Sequence, residues 1–217
     1  MSRIVASLLA GLALAAASQI SLAQQAGGPP PAAPPGPAPC AAAADVPRVA
    51  AVYAAKEVPP PFQAAPQLKL PESAVAGALP ATMGVGVDGS HFGDIWTSMT
   101  GWGPVVFLIM KGGSVFEVRG PIPTGEPSTK SKYFNLAPGP LSGHLRPDLV
   151  TAIHLLKLPG KEGFMRGALF YDQKGDNVFG AFVGGEGAQP TAAQLAAFEK
   201  TWDMVKAMPQ RCGKPAG

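Results

Sequence analysis

The sequence predicts an α+β domain in which a run of antiparallel strands carries helices packed on one face. Three observations predict it. Apolar residues fall at helical spacing across residues 90–100; from 105 to 183 they change to short runs of strand length separated by turn residues; from Thr191 helical spacing returns.

Taken in order, residues 71–79 read as a short helix stopped by Pro80, and 84–89 as a loop. Ser90 is placed to cap the next helix, whose Phe92, Ile95, Trp96 and Met99 share one face. Gly101-Trp102-Gly103-Pro104 ends it. Residues 105–110 are a continuous apolar run, Lys111-Gly112-Gly113 a hairpin turn, and 115–119 an alternating, half-exposed strand. A loop at 121–127 leads to short strands at 133–136 and 141–145, then longer ones at 152–158, 165–171 and 177–183. The last two are joined by Gln173-Lys174-Gly175-Asp176, a hairpin signal. Thr191 and Gln194 form a capping box, and Leu195, Phe198, Trp202 and Val205 give the closing helix its buried stripe.

The termini read differently. Residues 1–23 have the pattern of a secretory signal peptide: Arg3, an apolar stretch from Ile4 to Ala17, and the small-x-small site Ser21-Leu22-Ala23. A membrane anchor is the alternative, but the apolar run is shorter than the ~20 residues of a spanning helix. Residues 24–67 read as a tether. Its first part is nearly all Gly, Pro and Ala, a composition that favours extended, solvated backbone. Its second part adds Val49, Val52, Tyr53 and Phe62, with a short helix expected near Val49 to Lys56. The folded domain is then expected at 68–208, the tail at 209–217, and the location in the periplasm or outside the cell. Cys40 and Cys212 both survive signal removal and can pair in an oxidising compartment. A net charge of +3 is too small to point to nucleic acid. The sequence holds no GxSxG, HExxH, P-loop or paired-cysteine zinc motif, so no reaction is assigned.

The segments WGPVVFLIMKGGSVFEVRGPIPTG, KYFNLAPGPLSGHL and GALFYDQKGDNVFGAFVGG, preceded by ALP and HFGDIWTSMTGWG, resemble in order and spacing the haem-utilisation carriers of the HutX/HuvX/ChuX kind. The resemblance covers residues 71–208. It implies a broad antiparallel sheet flanked by helices, a homodimer, and a haem carried rather than broken down. Members of that family are usually cytosolic, so the export pattern is a departure. Members often have a histidine where this chain has Met110, and a histidine-rich loop where it has Ser128 to Lys132. The histidine of the SGH segment is kept as His144, and the tyrosine of YFNL as Tyr133.

Haem iron needs an imidazole, thiolate, thioether or phenolate donor. His144, Tyr133 and Met110 are the candidates, with Lys130, Lys132, Arg119 and Arg146 as candidate partners for the propionates. Phe107, Phe116, Phe134, Phe170 and Phe179 can wall the porphyrin, although each is first of all a core residue. His154 alternates with apolar residues and reads as structural; His91 opens a helix and reads as exposed. Two other readings stay open: a binding or structural module on the same fold that has lost haem, and a haem-degrading enzyme.

Overall fold

The computed structural model describes residues 35–111, 114–161, 163–184 and 189–213. Residues 1–34, which hold the expected signal peptide and the start of the expected tether, lie outside them. Five helices are seen among the described residues: α1 (Val46–Val52), α2 (Pro61–Leu68), α3 (Glu72–Gly77), α4 (Phe92–Met99) and α5 (Ala192–Lys206). The strands are β1 (Gly84–Asp88), β2 (Pro104–Lys111), β3 (Ser114–Pro121), β4 (Gly125–Pro127), β5 (Phe134–Leu136), β6 (His144–Leu145), β7 (Ala152–Gly160), β8 (Gly163–Tyr171) and β9 (Asn177–Val183). Six form one antiparallel sheet in the order β1-β7-β8-β9-β2-β3, and β4-β5-β6 form a separate small sheet.

The central strands β7 and β8 bury side chains on both faces, and that decides the layering. Ile153, Leu155, Ala168 and Phe170 face α4 and α5, where Trp96, Phe198, Trp202 and Val205 complete one core. Their alternating neighbours Ala152, Leu156, Leu158, Leu169 and Tyr171 face α1 to α3 and build a second. Helices therefore flank both faces of the sheet, not the single face expected. A strand buried on both sides reads as a continuous apolar run, and such a run does not say how many layers cover it.

The second core overturns the tether reading for the described part of 24–67. Val49 and Ala64 are fully buried and Tyr53 is 1% exposed, so α1 and α2 belong to the fold. Alanine and proline lose little side-chain entropy when buried, so a segment poor in large apolar residues can still pack. The C-terminal tail is likewise anchored as far as it is described. The Gly86 amide donates to Gln210 Oε1 at 3.0 Å, and the Arg211 amide donates to the Gly86 carbonyl at 2.8 Å. Cys40 and Cys212 are joined by a disulfide, with Cα atoms 5.4 Å apart.

Two segments expected as loops are strands. In β1, Gly86 pairs with His154 of β7, and a Cβ at Gly86 would lie 2.1 Å from the His154 ring. Gly86 is a glycine because an imidazole fills the space a side chain would need. In β4, residues 125–127 pair with 134–136. The strand expected at 141–145 shortens to His144–Leu145. Asp88, not Ser90, supplies the cap before α4: its Oδ1 accepts the Ser90 amide at 3.0 Å and opens a 3-10 turn over 89–91. The capping box of α5 forms with Thr191 and Gln194. Thr201 docks that helix, accepting from Trp102 Nε1 at 2.9 Å and lying 2.7 Å from Ser98 Oγ.

One half-buried carboxyl couples this packing to pH. Tyr171 donates its hydroxyl to Glu72 Oε1 at 3.3 Å. Burial, aided by Asp176, pushes Glu72 from 4.5 up to about 7. Between those values the folded state keeps a proton that the unfolded chain releases. The contribution is full below the unfolded value and is lost as pH rises through about 7. Because Glu72 is partly exposed, we expect a loss on the order of 1–2 kcal/mol between pH 5 and 8 relative to Glu72→Gln. Urea midpoints at the two pH values check this, and equal pH dependence in both proteins contradicts it.

Candidate functional site

The small sheet lies over α4 because Phe134 anchors it. The Phe134 ring meets Phe92 at 5.4 Å and Trp96 at 6.1 Å, both edge-on. Trp96 Nε1 also donates to the Pro123 carbonyl at 3.0 Å and holds the chain that leads into β4. Burying a phenylalanine side chain is worth roughly 1.5–3 kcal/mol, enough to fix a three-residue strand in register. With Phe134 turned inward, Tyr133 and Asn135 turn outward.

Asn135 stands opposite His144 of β6 in the ladder. The two side chains meet, with His144 Nδ1 and Asn135 Oδ1 2.8 Å apart. The amide oxygen accepts, so Nδ1 carries the proton and Nε2 keeps its lone pair for a metal or a donor. The His144 ring lies 5.8 Å from the ring of Tyr133, and the Arg146 guanidinium is 5.7 Å from the same phenol ring. Arg146 is clamped to Asp148 by two bonds of 2.7 Å, and Lys132 Nζ approaches Asp148 at 3.6 Å. These cations, Arg146 foremost, hold the Asp148 carboxyl below the usual carboxylate range. The cluster therefore presents one imidazole, one phenol and two cations that share a single carboxylate.

Beside this cluster runs a cleft of about 770 Å³. Lys132, Tyr133, Phe134, Asp148 and Val150 line one side, Asp88, Ser90 and Phe92 another, and Pro35, Gly36 and Pro37 a third. Its volume falls in the range of small-molecule and cofactor sites, and its walls are apolar with polar groups at the edge.

The structure brings together Lys132, Tyr133, His144 and Arg146. It leaves out Met110, Arg119 and Lys130; of the four it brings together, Lys132 and Tyr133 line the cleft, and His144 and Arg146 stand beside it against Tyr133. Met110 is half-buried near the end of β2, opposite Val115 of the large sheet. Arg119 bonds Glu117 at 2.7 Å and borders a different groove, with Trp102 and Gln194. Both belong to strands of the large sheet, β2 and β3, and not to the small sheet that carries His144. Of the five candidate wall residues only Phe134 lines the cleft. Phe107, Phe170 and Phe179 stack on one another around Trp96 as core, and Phe116 is 60% exposed on the edge strand. His154 is buried against Tyr171, its ring 5.7 Å away. His91 is half-buried, not exposed, because it enters α4 from the 3-10 turn. Sequence reading missed Asn135, Asp148, Phe92 and the 35–37 wall. The alternation Tyr133-Phe134-Asn135 carried a signal for Asn135; the proline-rich wall carried none.

Residues 85–201 match the family described as haem utilisation ChuX/HutX. The chain belongs to this family. Over 128 residues it is 36% identical to a Vibrio cholerae protein named intracellular heme transport protein HutX, covering 57% of this chain and 64% of that relative. The aligned part thus spans less than two thirds of the relative's length. A structure titled as the heme binding protein ChuX superposes with a TM-score of 0.59 at 26% identity, covering 65% of this chain and 88% of that one. The heme degrading enzyme ChuS of Escherichia coli O157:H7 gives a TM-score of 0.60 at 15% identity, with 75% of this chain and 49% of that chain covered. At that identity the likeness to ChuS shows the fold alone.

These comparisons correct one expectation. The N-terminal pattern pointed to the periplasm or to secretion, whereas the Vibrio relative from this ChuX/HutX family is named an intracellular protein. An Ala- and Leu-rich N-terminus is a compositional pattern, and the family relation outweighs it. Among the described residues no helix is long and apolar enough to cross a membrane.

Proposed function

We propose that this ChuX/HutX-family chain binds haem in the cleft beside Tyr133 and His144 and passes it on intact. The observation that carries the reading is the His144–Asn135 pair: Nδ1 is committed to the amide oxygen at 2.8 Å, which leaves Nε2 as an oriented donor. A ligating histidine gains fixed orientation and basicity from such a bond. Haem, as cargo, would bring a ferric or ferrous centre that accepts one axial donor from the protein. The residues present fit it. Phe92, Phe134 and Val150 offer apolar wall to the macrocycle, and Lys132 and Arg146 offer cations to the propionates. A propionate must compete with Asp148 for Arg146, so it would swap one carboxylate for another and leave the net charge pairing unchanged. Tyr133 can stack on the porphyrin edge or share the iron, with the Arg146 guanidinium 5.7 Å from its ring.

Support for transport over breakdown comes from the name of the Vibrio cholerae relative, a heme transport protein; ChuX is named a heme binding protein. The test is a transfer assay. Haem-loaded protein is mixed with excess apomyoglobin, and a second sample receives a reductant under air. Complete transfer of unaltered haem is expected, with the Soret band of the second sample persisting. Bleaching of that band with appearance of an open-chain tetrapyrrole would contradict the carrier reading.

A further inference from the structure

The wall of the cleft formed by residues 35–37 has little to hold it by itself. It is a proline- and glycine-rich strap, and extended backbone of this kind makes no internal hydrogen bonds. Its fixings lie just downstream. Ala38 is 3% exposed, and its carbonyl accepts Arg211 Nη2 at 2.8 Å. The Pro39 carbonyl accepts Ser73 Oγ at 2.9 Å. Cys40 then bonds covalently to Cys212.

The C-terminal partner of this strap also reaches the cleft. Through Nη1, Arg211 donates to Asp88 Oδ2 at 3.0 Å and to the Thr151 carbonyl at 2.9 Å. Asp88 and Thr151 both line the cleft that Pro35 to Pro37 close. One guanidinium thus ties the strap to two other walls, and the disulfide next to it in sequence holds both chain ends in place. The backbone of Cys212 is left-handed, with φ 60°, a conformation a non-glycine residue rarely adopts without outside support. The disulfide spans 172 residues, so cutting it frees two ends that no short loop would bring back together.

The disulfide is also reachable. Cys40 is exposed, while Cys212 is half-buried with its sulfur against Gly77, where a Cβ would come within 2.7 Å. We propose that Cys40–Cys212 is a redox latch on the haem cleft: reduction by a dithiol frees the 35–39 strap and speeds release of the bound haem. A thiolate of the dithiol attacks one cystine sulfur and forms a mixed disulfide, releasing one cysteine thiol. The second thiol then closes the reductant's own disulfide and releases the other cysteine. Two electrons and two protons pass to the protein, and the dithiol is oxidised. The inference rests on the haem reading of this cleft and adds its regulation.

The experiment uses the full chain in three forms: oxidised, reduced with dithiothreitol that is then removed without air, and Cys40→Ser/Cys212→Ser. Each is loaded with haemin, and the rate of haem loss to excess apomyoglobin is followed, with circular dichroism recording the fold. The reduced and double-serine forms should lose haem about tenfold faster than the oxidised form, a ratio that corresponds to losing one cleft wall. Reoxidation should restore the slow rate. Arg211→Ala, which leaves the disulfide intact, should fall between the two. Equal rates in oxidised and reduced protein end the latch and leave the haem site standing. Absence of a Soret band in every form ends the haem reading and the latch with it. Loss of folded circular dichroism on reduction and in the double-serine form also overturns the latch, because the bond is then a requirement for the fold.

Discussion

Replacing His144 with alanine is expected to weaken haemin binding on the order of a hundredfold and to shift the Soret band of what remains. The size of the effect follows from geometry. His144 is exposed and makes its hydrogen bond to another exposed-face residue, Asn135, so its removal leaves the core untouched. The fold should survive, and the loss should appear in binding alone. Asn135→Ala is expected to show a smaller loss, about tenfold, because the imidazole stays but its orientation is no longer fixed. Absorption titrations of the two variants beside wild type check both. Full affinity with an unshifted spectrum in His144→Ala would remove the imidazole from the site and turn attention to Tyr133.

The second large effect lies in the fold. Gly86→Ala should destabilise the protein by about 3 kcal/mol, since the new methyl would meet the His154 ring at 2.1 Å from Nδ1. That ring cannot retreat easily. It is 1% exposed, with Tyr171 on one side and Gly77 on another. The clash is specific, so it should vanish when its partner is removed. In a His154→Ala background the same Gly86→Ala change should cost less than about 1 kcal/mol. Urea unfolding of the four proteins gives the cycle. Additive losses would show that Gly86 is required for its backbone conformation and not for the space it leaves to the imidazole.

The large sheet was legible because its strands carry the two patterns that strands impose, continuous apolar runs in the centre and alternation at β3. The Gln173 to Asp176 hairpin and the Thr191 capping box were legible because local side-chain chemistry specifies them. The failures share one cause. Where a residue is chosen by something distant in sequence, its local neighbours mislead. Gly84 and Gly86 looked like a loop because the imidazole that requires Gly86 comes 68 positions later, at His154. The helices α1 and α2 looked like a tether because the core they join is completed by residues of α3, β7 and β8 that lie further along the chain.

The candidate site shows the same division. Tyr133, His144, Lys132 and Arg146 were within reach of sequence reading because one short stretch, residues 132–146, carries them all. Met110 and Arg119 were grouped with them by residue chemistry, and the register of β2 with β3 separates them. Asp148 was missed because its importance appears only when Arg146 and Lys132 converge on it. The cleft wall at residues 35–37 was invisible for a different reason: its position is fixed by Arg211 and the Cys40–Cys212 bond, from the other end of the chain.

The most direct test of the central claim is an absorption titration of haemin onto the oxidised wild-type protein beside His144→Ala and Tyr133→Phe. Saturation at one haem per chain is expected, with a sharp Soret band that the His144 substitution weakens or moves. A rise that never saturates, or a band identical in all three proteins, would contradict it and leave a ChuX/HutX fold whose cleft serves another cargo.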